Sequence, residues 1–141
     1  MNAPTTINKP SAKNLLAITT LTCVGMLLAG CQPTLSFEKQ YALTPAEVMT
    51  LPIDPVGAEQ TIHVSAISSD DAQFSVHVYL AKNEEAAESA ITTKAASDLI
   101  LDAATKTTTA NLSARIPANE ESVVRISADS SSVTVNVAIN N

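Results

Sequence analysis

TIHVSAISSDDAQFSVHVYL, residues 61–80, decides the fold. Two alternating runs flank a polar turn. In the first, Ile62, Val64 and Ala66 share one face and Thr61, His63 and Ser65 the other. In the second, Phe74, Val76, Val78 and Leu80 oppose Ser75, His77 and Tyr79. Successive side chains of a strand point to opposite sides, so a period of two marks one buried face and one wet face. Ser68-Ser69-Asp70-Asp71 between the runs is turn chemistry, because short polar side chains bond the local backbone.

The same pattern recurs outward from this stretch. ANLSARI (110–116) and VTVNVAI (133–139) alternate cleanly, and 39–43, 47–53, 98–104 and 122–128 fit it less strictly. Thr44-Pro45, Asp54-Pro55 with Gly57, Pro117-Ala118-Asn119 and Asp129-Ser130-Ser131 punctuate them. About eight short strands at this spacing predict an all-β domain, a jelly-roll-like antiparallel β-sandwich. NEEAAESAITTKAA (83–96) departs from the pattern and reads as one short helix over about residues 84–95. Asn83 is placed to cap it, Glu84 and Glu85 suit its first turn, and Lys94 suits its last. Ala87, Ala90, Ile91 and Ala95 make a thin apolar stripe, expected to lie over an end or edge of the sandwich.

Residues 1–30 have a different character. Lys9 and Lys13 are their only charges, an apolar stretch runs from Leu15 to Ala29, and small residues precede Cys31. A basic start, an apolar middle and a small-residue end make a secretory signal. The apolar stretch is short for a membrane span of about 20 residues. Leu28-Ala29-Gly30-Cys31 resembles the lipobox of bacterial lipoproteins. The resemblance implies recognition of Leu28, Ala29 and Gly30 by the lipoprotein signal peptidase. It also implies a diacylglyceryl thioether on Cys31, which becomes the first residue after cleavage. A cysteine thiolate is the nucleophile that such a thioether needs, and two or three acyl chains anchor firmly where one does not. An ordinary small-residue cleavage site and an uncut short anchor are the other readings of this segment. Gln32, where Asp would favour retention in the inner membrane, implies the outer membrane of a double-membraned cell. The expected organisation is a removed signal (1–30), a lipidated Cys and tether (31–38), and a sandwich domain (39–141).

Removing 30 of the 141 residues leaves 111, and takes two of the eight basic residues and none of the fourteen acidic ones, for a balance of −8. That charge argues against nucleic acid, which favours a basic partner, and against lying flat on anionic lipid. Cys31 is the only cysteine left, so no disulfide and no thiol catalyst is expected. Gly57 is the only glycine left. A phosphate loop, a dinucleotide fold and a nucleophile elbow each need several glycines at fixed spacing and are excluded as motifs.

YALTPAE, the 61–81 stretch and ARIPANEESVVRISADSSSVTVNVAI together are similar to the bacterial pre-peptidase C-terminal type of β-sandwich, although turn glycines are few. That similarity implies a non-catalytic module.

The remaining candidate chemistry is sparse. If 61–66 and 74–80 formed a hairpin, pairing Val64 with Val76 and Ala66 with Phe74 would set His63 opposite His77. Cross-strand Cβ atoms lie about 4.5–5.5 Å apart, close enough for a shared metal, but a stable site needs a third or fourth ligand. Two surface histidines are the simpler reading. Asp70 and Asp71 lack the ordered ligand series of a calcium loop. Glu84, Glu85 and Glu88 read as a solvated helix face, and Tyr79 as an outward ring able to anchor a contact. The expectation is a membrane-anchored envelope lipoprotein, a binding or structural module with no enzymatic activity, no cofactor and no nucleic-acid partner. An accessory subunit of an envelope protein complex is one alternative, and a weak metal (His63/His77) or small-ligand carrier is another.

Overall fold

Every alternating run becomes a strand. The computed structural model describes residues 34–141. Its strands are β1 (Ser36–Leu43), β2 (Val48–Ile53), β3 (Gln60–Ser68), β4 (Phe74–Leu80), β5 (Ile100–Thr107), β6 (Thr109–Ile116), β7 (Ser122–Ala128) and β8 (Val133–Asn140). Between β4 and β5, a single 3₁₀ turn (Ala81–Asn83) runs into α1 (Glu84–Thr93). Among the described residues no helix is long and apolar enough to cross a membrane.

The strands form two sheets of four, ordered β1-β8-β3-β6 and β2-β7-β4-β5. All pairs are antiparallel, and they nest: β1 with β8, β2 with β7, β3 with β6, β4 with β5. Nested pairing across two sheets is the jelly roll, an architecture that wraps two Greek keys around one core. The inner faces carry the alternating apolar residues. Ile62, Val64, Val135 and Val137 of one sheet meet Phe74, Val76, Val124 and Ile126 of the other, all 1% exposed or less.

The stretch that decides the fold class does not form a hairpin. β3 has only two edges, and both are taken, one by β8 and one by β6. β4 therefore crosses to the opposite sheet. The turn between them is fixed by Asp70, which accepts from Ser68 Oγ at 2.7 Å, Thr134 N–H at 3.0 Å and Ala72 N–H at 3.3 Å. Ser68 ends β3, Ala72 lies in the turn and Thr134 stands at the start of β8. Asp70 thus ties the crossing to the neighbouring strand, and these bonds hold its carboxyl below the ordinary range.

Two boundaries also move. β1 starts at Ser36, inside the expected tether, because Ser36, Phe37 and Glu38 extend the ladder with Asn140, Ile139 and Ala138. β5 is displaced toward Thr107, and a bulge between its pairings with Phe74 and Val76 leaves Lys106 in the left-handed region at φ 53°.

The helix is shorter than expected and differently placed. It ends at Thr93, with Lys94 at φ 54°. Its last turn is closed by Ala95 N–H donating to Ala90 O at 3.0 Å and Lys94 N–H to Ile91 O at 3.2 Å, a Schellman-type ending. It lies over the outer face of β4 and β7, not over an end or edge. Ala87 packs there against Tyr79 and Val123, with Ala81 and Ile91 beside them.

Candidate functional site

On the outer faces of β4 and β7, alternation sets His77 beside Arg125, Ser75 beside Ser127 and Tyr79 beside Val123. Ser75, His77 and Tyr79 read as wet in the sequence. Under α1 they are not: Tyr79 is fully buried, His77 is 6% exposed and Arg125 8%. The outward Tyr79 anchor is thereby corrected, since its ring is helix-facing core.

Glu88 of α1 makes this second layer possible. Tyr79 donates its O–H to Glu88 Oε1 at 2.9 Å, and Arg125 donates Nε–H to Glu88 Oε2 at 3.0 Å. A half-buried carboxylate thus holds two strands at once, and Glu88 is not part of a solvated face. Burial, then the bond to Glu88, push the Tyr79 phenol well above its ordinary range. Arg125 also donates Nη1–H to Ser127 Oγ at 3.2 Å. Its Nη2 makes no hydrogen bond among the described residues.

An open hollow of about 650 Å³ begins where the helix stops covering the sheet. His77 and Arg125 form its buried polar part, and Ala90, Ile91, Ile100 and Ala103 give it apolar walls. Lys94 and Lys106, both exposed, stand in its lining with Asp129. The other basic side chains among the described residues are engaged elsewhere. Lys82 pairs with Glu120, Arg115 pairs with Glu59 at 2.6 Å, and Lys39 lies 5.3 Å from the Tyr41 ring centre. Lys94 and Lys106 make no ion pair among the described residues.

His77 is the unfinished group of this site. Its Nδ1 is buried without a hydrogen-bond partner among the described residues. Desolvation lowers its pKa, Arg125 lowers it further, and Glu88 partly opposes them. The imidazole is therefore neutral near pH 7. A buried polar atom with an unmade hydrogen bond is unusual in a folded protein.

His63 and His77 are not brought together. His63 sits in the other sheet, opposite Ser113 and Asn140, beside a smaller hollow of about 250 Å³. The shared metal between them required a β3–β4 hairpin and falls with it. No cluster of three or more His, Cys, Asp or Glu side chains is placed to hold a metal among the described residues. Leu28, Ala29, Gly30 and Cys31 lie outside the described residues. Sequence reading missed Arg125, Lys94 and Lys106. One signal was available: in SVVRISA a charge occupies the middle of a strand with apolar residues on both sides.

A scan against protein-family models finds no match for the chain, and a search of curated proteins finds none either.

Proposed function

We propose that this chain is a lipid-anchored module of a bacterial cell envelope that binds rather than catalyses. The lipobox-like Leu28-Ala29-Gly30-Cys31 carries the reading. Four residues separate Cys31 from Ser36, the start of β1. At no more than about 3.6 Å per residue, that leash holds the sandwich within about 20 Å of the bilayer. Gln32 after the cysteine supports the outer membrane where the cell has two. The hollow beneath α1 supports binding, because its polar groups are charged or neutral hydrogen-bonding groups set among small apolar walls. Such mixed concavities are where small ligands are held.

The anchor is tested by mass spectrometry of detergent-extracted protein, with membrane fractionation beside it. The expected product begins at Cys31 and carries the mass of a diacylglyceryl group and an N-acyl chain. Cys31→Ala is expected to leave the membrane fraction. An unmodified Cys31 or a retained 1–30 segment rules the anchor out.

A further inference from the structure

We propose that the hollow between α1 and the outer face of β4, β5 and β7 binds a small organic carboxylate with a short apolar body. The inference rests on reading the hollow as a binding site and is independent of the lipid anchor.

Charge is the first argument. The described chain is strongly acidic, with all fourteen carboxylates of the sequence and two fewer basic residues than the whole. Yet Arg125, Lys94 and Lys106 line one hollow. Glu88 faces the same layer, but its charge is already matched by Arg125 at 2.8 Å and its oxygen takes the Tyr79 proton. Asp129 is the remaining carboxylate of the lining, set against two lysines with no ion pair among the described residues. The local balance is positive on a negative molecule, which concentrates anions at that spot.

Chemistry is the second argument. Arg125 is fixed by Glu88 and Ser127 through Nε and Nη1, leaving Nη2 with hydrogens to donate. A guanidinium held rigidly in this way is suited to carboxylate oxygens, and two flexible ammonium groups add charge-assisted bonds. His77, more than nine-tenths buried and with Nδ1 unpartnered among the described residues, offers a neutral hydrogen-bonding group in the same lining. The rest is small and apolar: Ala90, Ile91, Ile100 and Ala103. Those walls fit a short hydrocarbon and give a bare inorganic anion nothing to cover.

The test uses the full chain in detergent, titrated with hexanoate, hexanamide and inorganic phosphate. It follows binding calorimetrically and through the His77 imidazole NMR signals. Hexanoate is expected to bind and to move those signals, with hexanamide at least about tenfold weaker, the loss of roughly one charge-assisted bond. Lys94→Glu/Lys106→Glu is expected to weaken hexanoate by at least about tenfold. Lys94→Arg/Lys106→Arg, which keeps the charge, is expected to stay within about threefold of wild type. Both positions are exposed, and a melting curve for each variant separates lost binding from lost folding. Equal binding of hexanamide, or phosphate binding more tightly than hexanoate, overturns the carboxylate assignment and leaves a binding site of another class. No response to any of the three probes at about 10 mM, well above a weak ligand's Kd, overturns the hollow as a site for such ligands. Neither result bears on the anchor, which the mass of Cys31 decides.

Discussion

His77 shows how one residue changes meaning with its surroundings. In the sequence it is the polar member of an alternating strand; in the fold it lies between a sheet and a helix, beside a guanidinium. Because its folded pKa is depressed, the unfolded chain takes up the proton first as pH falls. Stability from this residue is therefore complete above its ordinary value of 6.5, falls as pH drops from there through the folded value, and levels off once both states are protonated. Urea unfolding compared at about pH 7.5 and about pH 5 is expected to show that loss in wild type. His77→Phe cannot bind a proton, so the loss between those pH values is expected to shrink. An unchanged loss would place the acid sensitivity of that pH window elsewhere, and not at Asp70, whose lowered pKa confines the loss of its own contribution to still lower pH.

At the scale of elements, α1 is a lid fastened to two strands through one carboxylate. Glu88→Gln keeps the shape and removes the charge, leaving Arg125 buried with no counterion. A destabilisation of about 1–3 kcal/mol is expected, read from denaturant midpoints. Adding Arg125→Met should recover part of it, since removing both members of a buried pair costs less than removing one. Full additivity of the two changes would show that the pair is not coupled. The same element explains what the sequence made legible and what it did not. Period-two patterning exposes the inner faces, so Ile62, Phe74 and Val135 read as core without any structure. It carries no information about a second layer, and on that face Tyr79, Arg125 and Val123 look like ordinary outward residues. The stripe Ala87, Ala90 and Ile91 announced that the helix had a surface to cover, but not which one. Whether β3 and β4 form a hairpin is not legible in the sequence for a related reason. Local register makes neighbouring strands look like partners, and only the competition of β6 and β8 for the edges of β3 decides otherwise.

Across the whole molecule, two four-stranded sheets share one interior filled largely by valine, isoleucine and alanine, with Phe74 as its largest apolar ring. Replacing Phe74 by Ala should cost about 3–5 kcal/mol through lost burial and the cavity left behind, a large part of a typical total of about 5–15 kcal/mol. A urea midpoint within error of wild type would show that the sheets close over the gap. The nested pairing has a further consequence, in time rather than space. β8, the last of the described strands, lies inside its sheet with β1 on one side and β3 on the other. Pairings between such distant segments form slowly, because a long loop must close before any contact rewards it. A chain that emerges amino end first must therefore hold β1 and β3 with open edges until β8 has been made, so one sheet can close only after the other seven described strands have appeared.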